Sequence, residues 1–335
     1  TTDIRSRVNI VSHEAVVYAE DEMRINKFLS ANIGTSFTAT MVNGRTYLML
    51  DPRFAFKWQL ANSTSFKMSY THMSQSIHRM ASSFLELPTD FWVPTTNEIK
   101  PTMSHQIAAG IYTQPSTHLT LSLEAYYKLS SHLLQYRHWM GFQPSAATWN
   151  RDVADGKGKS YGMEADATYT TGSTTMSMAY TLSWSKRLFK DIYPTWFDDQ
   201  FDNRHKINIS LSHDFSQRIS LYAAWTFHSG NRVTMPVGYT IQPNIPGDNK
   251  YSYDYIFDRP NNFSLPAYHR MDIGANFRHT TRHGKEGIWN VSLYNAYCHL
   301  NTMYVKVRLD DNNKFQIKSH GYIPIIPSVS YTLKF

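Results

Sequence analysis

The chain has 335 residues, of which 41% are apolar, 14% aromatic and 18% charged, and its formal net charge is +7. It contains no run of 18 apolar residues, which excludes membrane-spanning helices, and its single cysteine, Cys298, excludes an internal disulfide framework and a cysteine-based zinc cluster. The basic residues are scattered through the chain and form no run, so the positive charge does not indicate nucleic-acid binding.

In chain order, the sequence shows repeated segments in which apolar and polar residues alternate. In "STTMSMAYTLSWS", for example, Met176, Met178 and Tyr180 alternate with serine and alanine. A period of two over eight or more residues is typical of a β-strand, and no segment of comparable length has the helical period of 3.6. We therefore predict an all-β chain with strands near 13–21, 28–40, 45–59, 63–77, 102–114, 117–136, 157–170, 173–187, 204–215, 218–233, 266–279, 286–309 and 313–335.

Such alternation occurs both in soluble sandwiches and in transmembrane barrels, and three features favour the barrel. The polar face of the predicted strands carries small hydroxyl residues and the charged pair Glu164 and Asp166, which suit a wet lumen. The strands are about ten residues long or more, against about five or six in globular proteins. Aromatic residues lie at the ends of the apolar stripes, as an interfacial girdle requires. We predict an antiparallel transmembrane β-barrel.

The connections between the predicted strands alternate in length. Short turns such as "TQPST", "TTGS" and "FSQR" are followed by long segments at 78–101, 137–156, 188–203 and 234–265. Outer-membrane barrels combine short periplasmic turns with long extracellular loops. This topology places the C-terminus at the periplasmic face. Because bacterial single-chain barrels have an even number of strands, about thirteen strands indicate the C-terminal part of a larger barrel.

Several stretches resemble one protein family. They are "HEAVVYAEDEMRINKFLSANIG", "LPTDFWVPTTNEIKP", "GKSYGMEADATYTTG", "YTLSWSKR", "FDNRHKINISLSHDF", "LPAYHRMDIGANF" and "YIPIIPSVSYTLKF". Together they resemble TonB-dependent outer-membrane receptors of the Bacteroidetes type, over nearly the whole of residues 1–335. The resemblance implies a 22-stranded barrel occluded by an N-terminal plug. This chain would supply strands 10 to 22 as one incomplete barrel domain, without the plug or the TonB-contacting box.

The resemblance also implies a function. It predicts outer-membrane uptake of a scarce nutrient, namely a siderophore or other metal chelate, a glycan or a peptide, energised through TonB. The implied partners are outer-membrane lipid, the plug and first barrel strands of the same protein, the TonB complex and a surface lipoprotein, with no nucleic acid. Two alternatives stay open. A porin or structural barrel would lack an upstream plug, and a barrel hydrolase would have fewer than about 14 strands in the full-length protein.

Candidate substrate-binding residues lie in the long segments predicted to be extracellular loops. Aromatic rings and arginines there suit ligand capture by stacking and by bidentate hydrogen bonds. The segment 78–101 has an alternative role as a packed turn made rigid by Pro88 and Pro94. The segments 137–156 and 188–203 have an alternative role as solvated loops above an aromatic girdle. The candidates are Asp90, Phe91, Trp92, Arg137, Trp139, Trp149, Arg151 and Trp196.

The sequence does not indicate catalysis or metal binding. It has neither GxSxG nor HExxH, and although it has 15 histidines, His205 and His213 on one predicted strand face are eight residues apart, too far to share an ion. We expect Glu164 and Asp166 to bond to neighbouring strand or plug residues. The prediction is a transporter with no catalytic residues, no cofactor and no bound metal of its own.

Overall fold

The computed structural model describes residues 9–80, 91–137, 150–242, 252–310, 314–321 and 323–334. These residues form strands, turns and irregular segments, without any helix. It follows that this part of the chain has no helix with the length and apolar character needed to cross a membrane.

One large antiparallel sheet contains thirteen long strands, each paired with the next along the chain. The sheet is open, with β1 at one edge and β13 at the other. The predicted all-β antiparallel architecture is therefore confirmed. The strands are β1 Ser12–Arg24, β2 Leu29–Val42, β3 Arg45–Ala61, β4 Thr64–Gln75, β5 Thr102–Ser116, β6 Leu119–Tyr136, β7 Val153–Thr171, β8 Thr174–Leu188, β9 His205–Asp214, β10 Ile219–His228, β11 Tyr268–Thr280, β12 Glu286–Tyr294 and β13 Ile326–Lys334.

The register of the sheet separates its two faces. Met178 on β8 lies opposite Ile209 on β9, which lies opposite Trp225 on β10. The next row pairs Ser177 with Ser210. We call the face that carries Met178 the apolar face, and the face that carries Ser177 the polar face. Many apolar-face side chains are open to the surroundings, and Met178 is 42% exposed. Because no other described segment of the chain covers these side chains, the apolar face gains its burial from another medium.

The connections differ at the two ends of the strands. At one end, the short-turn rim, the links are residues 25–28, 62–63, 117–118, 172–173, 215–218 and 281–285. At the other end, the long-connection rim, they are 43–44, 76–101, 137–152, 189–204, 229–267 and 295–325. Only the Asn43–Gly44 turn is short there, with left-handed φ angles of 47° and 78° that suit a two-residue hairpin. The predicted alternation of short and long links is confirmed.

Several of the long connections contain short strands that are not among the thirteen strands of the large sheet. Most form hairpins, and the segment Phe197–Asp198 continues the sheet beside β8. Small apolar clusters stabilise two of these connections. One contains Met80, Val93 and Tyr136, and the other contains Phe189 and Phe197. The pairs are Ile77–Met80 with Phe91–Pro94, Arg232–Val233 with Phe263–Ser264, Gly238–Gln242 with Ser252–Ile256, and Thr302–Leu309 with Phe315–Gly321.

The last two predicted strands, 286–309 and 313–335, were too long. β12 ends at Tyr294 because Asn295 and Cys298 adopt left-handed φ angles of 54° and 55°. The buried Asn295 amide donates to the carbonyl oxygens of His299 and Ile323, both at 2.9 Å, and thereby fixes the turn. Thr302–Leu309 then pairs with Phe315–Gly321 in a separate hairpin. Cys298, expected inside a strand, is exposed in this turn.

Candidate functional site

The polar face forms a groove beneath the long-connection rim. A cavity of about 570 Å³ lies across β2 to β6 and adjoins a second cavity of about 480 Å³ that extends to β1, with Ser74 and Gln75 lining both. Most of the residues that line the first cavity carry a hydroxyl, amide or charged group. Its lining includes Ser36, Asp51, Arg53, Thr71, His72, Thr102, Ser104, Lys128 and Ser130.

Asp51 is the centre of the polar contacts in this groove. Its carboxylate accepts a hydrogen bond from the Ser74 hydroxyl at 2.6 Å and lies 3.0 Å from Nδ1 of His72. The side chains of Asp51 and His72 are each only 13% exposed. The partners hold the carboxylate in place, so the groove presents a fixed acceptor rather than a mobile one.

Arg53 supplies a positive charge to the same groove. It lies on β3 in one cross-strand row with Gly34 on β2 and Glu20 on β1. A Cβ atom at Gly34 would lie 2.7 Å from Arg53 Nε, so glycine there leaves room for the arginine to cross β2. Arg53 reaches Glu20 at 3.2 Å.

An acidic patch lies on the polar face further towards the short-turn rim. Glu124 on β6 is the register partner of Glu164 on β7, and like charges directly opposite each other repel. The Tyr112 hydroxyl donates to Glu124 at 2.5 Å, and Ser122 donates to Asp166 at 3.2 Å. The expectation that these carboxylates bond to neighbouring strands is confirmed for Asp166. Their geometry suits a basic partner above them.

A salt-bridge network stabilises the connection 189–204. Arg187 binds Asp199 at 2.6 Å, and Arg204 binds Asp202 at 3.0 Å. The Asp202 carboxylate is 1% exposed and also accepts the backbone N–H of Ser185 at 2.8 Å. Arg232 reaches it from the connection 229–267 at 3.9 Å. The network therefore joins two long connections to β8.

The candidate residues that the structure describes lie at different places on the long-connection rim. Trp92 is 65% exposed and lines the smaller cavity. Arg137 binds Asp191 at 2.6 Å, and Arg151 is exposed. The Trp196 ring lies 4.4 Å from Lys159 Nζ. Phe91 begins the strand Phe91–Pro94, and Asp90, Trp139 and Trp149 lie outside the described residues.

The sequence analysis missed the residues of the polar-face groove. Asp51, Arg53 and Lys128 lie on two strands, β3 and β6, and only the register brings them to one cavity. Their signal was a charged residue within an alternating strand near its long-connection end. That signal indicated on which face of the sheet each residue lies, but not which residues of other strands lie beside it.

His78 is a buried histidine in the connection 76–101. Its ring nitrogens lie 3.3 Å from the Thr95 hydroxyl and 3.1 Å from the Thr102 hydroxyl. Burial lowers the pKa of His78 to about 4, and the charge of Asp155 opposes this only in part. His78 is therefore neutral, and both of its ring nitrogens have hydrogen-bond partners. Through Thr102 it attaches the connection 76–101 to β5. Within the described residues, no group of three or more His, Cys, Asp or Glu side chains is arranged to hold a metal ion.

Comparison with known proteins identifies the family to which the chain belongs. A family profile described as "TonB dependent receptor-like, beta-barrel" matches residues 2–297. The chain belongs to this family. Members of the TonB-dependent receptor family are outer-membrane β-barrels and transport receptors, so the apolar face of the sheet is the one that meets lipid. No curated protein matches the chain.

Solved structures of receptors and transporters for iron or its chelates show the same fold. The ferric yersiniabactin uptake receptor FyuA from Yersinia pestis aligns with a TM-score of 0.65 at 10% identity, over 97% of this chain and 46% of that one. The ferripyoverdine receptor of the Pseudomonas aeruginosa outer membrane gives 0.58 at 13%, over 96% and 38%. The FrpB iron transporter from Neisseria meningitidis gives 0.56 at 15%, over 97% and 45%. This chain thus spans less than half the length of each receptor.

Proposed function

We propose that the chain is the C-terminal part of the barrel of an outer-membrane importer, with residues 1–335 forming one incomplete barrel domain. The observation that carries this proposal is the two-faced sheet, which has an apolar face for lipid and a polar groove beneath the long-connection rim. Uptake is energised through the TonB complex, which contacts the part of the protein upstream of this chain. The sequence stretches quoted above favour a receptor of the Bacteroidetes type.

The substrate is a scarce nutrient, and a ferric siderophore or another metal chelate is the first class to test. The solved receptors of the same fold include a ferripyoverdine receptor, a ferric yersiniabactin uptake receptor and an iron transporter. Glycans and peptides are the other classes. The groove combines the Asp51 acceptor with the cations Arg53 and Lys128, which suits a substrate carrying both donors and anionic oxygens.

The long-connection rim is proposed to face the cell exterior, with the C-terminus at the periplasmic face. Substrate then enters past the candidate residues Asp90, Phe91, Trp92, Arg137, Trp139, Trp149, Arg151 and Trp196, and a surface lipoprotein docks on this rim. The upstream plug fills the lumen, where the patch of Glu124, Glu164 and Asp166 offers carboxylates to its basic side chains. The first barrel strands, also upstream, close the sheet between β1 and β13.

The test is uptake by the full-length protein in a host that lacks its own receptors. Radiolabelled ferric chelates, a glycan panel and a peptide panel are each presented to cells with and without TonB. We expect accumulation of one class in TonB-containing cells and loss of that accumulation in cells without TonB or with a proton uncoupler. Arg53→Ala and Lys128→Ala should weaken uptake of that class, whereas Arg282→Ala on the short-turn rim serves as the matched control.

The same experiment separates the two alternatives. A porin or structural barrel would give uptake that is independent of TonB, or no uptake. A hydrolase would release products from a substrate without accumulation inside the cell. Either result would contradict the proposal.

A further inference from the structure

Three lysines cluster on the apolar face where β7 and β8 approach the long-connection rim. Lys159 and Lys186 are register partners, directly opposite each other on the two strands. Lys157 is two residues beyond Lys159, on the same face of β7. Charged residues are unusual on this face, which otherwise carries Met163, Met176 and Met178 on these strands.

These ammonium groups have few anionic partners. Lys186 lies 4.0 Å from Asp198, but Arg232 lies closer to the same carboxylate, at 3.5 Å. Lys159 lies over the ring of Trp196, which attracts a cation without neutralising it. Two like charges directly opposite across a sheet destabilise each other. The cluster therefore keeps a positive excess that a bound anion would offset.

The position of the cluster identifies the anion. Tyr127, Tyr161 and Trp184 form one cross-strand row on the apolar face, with ring centroids 6.0 and 5.3 Å apart. Rows of tyrosine and tryptophan mark the interface between hydrocarbon and headgroups. Lys159 and Lys186 are two residues beyond this row, or about 7 Å along the strands. This places them at the level of the headgroups, on the surface that contacts lipid.

We propose that Lys157, Lys159 and Lys186 bind the phosphate of a phosphorylated glycolipid in the outer leaflet. The inference rests on the proposed membrane orientation, since the long-connection rim must lie in that leaflet. Ammonium groups bind phosphate through charge-assisted hydrogen bonds. The aromatic row below them packs against the sugar and the first acyl carbons. A protein partner would leave unexplained why the lysines follow the aromatic row at one membrane depth.

The experiment measures lipid binding to the purified full-length protein in neutral detergent micelles by native mass spectrometry. The probes are diphosphorylated lipid A, chemically dephosphorylated lipid A and inorganic phosphate. The test variant carries Lys157→Gln, Lys159→Gln and Lys186→Gln. The matched control carries Lys57→Gln, Lys67→Gln and Lys206→Gln, which removes the same charge from the polar face. Heat modifiability confirms that each variant is folded.

We expect the test variant to bind diphosphorylated lipid A about tenfold more weakly or worse, since each lysine contributes at a membrane surface. The control should keep wild-type affinity. Dephosphorylated lipid A should bind wild type as weakly as phosphorylated lipid A binds the test variant, and inorganic phosphate at equal concentration should not compete. Equal losses in both variants, an unchanged test variant, or no preference for the phosphorylated lipid would overturn the proposal. A protein that imports nothing could still pass this test, so the result is independent of the uptake assay.

Discussion

At the scale of single residues, burial decides how much each ion pair contributes to the stability of the fold. The Asp202 carboxylate is 1% exposed and serves Arg204, Arg232 and the Ser185 N–H. By contrast, Lys334 and Glu286 form an exposed pair on the polar face at 3.0 Å. Asp202→Ala should lower the free energy of unfolding by about 3 kcal/mol, because two partly shielded arginines lose their anion. Glu286→Ala should cost less than about 1 kcal/mol.

Urea unfolding of the full-length protein, followed by tryptophan fluorescence and by heat modifiability, measures both changes. Each variant removes one carboxylate that pairs with a basic side chain, and the two carboxylates differ strongly in burial. Similar losses for Asp202→Ala and Glu286→Ala would show that the network at 187–232 does not stabilise the barrel.

His78 gives a pH dependence that is local to one connection. Burial lowers its pKa to about 4 in the folded state, whereas the exposed ring has an ordinary value of 6.5. Between these values the opened connection binds a proton that the closed one does not. The stability of the closed connection is therefore complete above pH 6.5 and decreases as the pH falls towards 4. Hydrogen exchange in residues 76–80 and 91–102 should accelerate over this range, after correction for the intrinsic rate.

The control for this effect is His78→Gln, which keeps a polar side chain and removes the titration. Its corrected exchange should be independent of pH between 6.5 and 4. An equal acceleration in both proteins would assign the effect to another group.

At the scale of the strand, the two faces of β9 should respond differently to charge. Leu211 lies on the apolar face opposite Met176 and Ala223, and its neighbour Ser210 lies on the polar face opposite Ser177. Leu211→Arg near the middle of the strand should cost about 2–4 kcal/mol in lipid, whereas Ser210→Arg should be tolerated better. Urea unfolding in lipid vesicles compares the two. Equal costs would mean that the faces have been assigned to the wrong environments.

The sequence predicted the strands well because alternation and connection length are local properties. It failed at residues 295–325, where the hairpin Thr302–Leu309 with Phe315–Gly321 alternates as a barrel strand does. Alternation indicates a two-faced strand but does not say in which sheet it pairs. The left-handed Asn295 and Cys298 end β12, and left-handed asparagine or cysteine has no strong sequence signal outside Asn–Gly pairs.

The candidate site was less predictable than the strands. Asp51 and Lys128 line one cavity although they are far apart in sequence, and their meeting depends on the register of the three strand pairs that connect β3 to β6. Gly34, which leaves room for Arg53, gives no sign of that role in the sequence. Loop aromatics such as Trp92 could be proposed from composition, but the polar groove could not.

At the scale of the whole molecule, the two rims make the sheet directional. All short turns except Asn43–Gly44 lie at one rim, and every connection of more than five residues lies at the other. The polar groove, the salt-bridge network and the lysine cluster all lie towards the long-connection rim. The proposed import therefore depends on which rim is outside the cell.

The native Cys298 tests this orientation directly, because it is exposed in the turn that follows β12 on the long-connection rim. An impermeant maleimide should label the full-length protein on intact cells, and Cys298→Ser should abolish the labelling. In the Cys298→Ser background, Arg282→Cys places a thiol in the exposed turn 281–285 on the opposite rim. That variant should react only after the outer membrane is permeabilised. If Arg282→Cys labels on intact cells and Cys298 does not, the barrel is inserted in the opposite sense, and the candidate substrate site would face the periplasm.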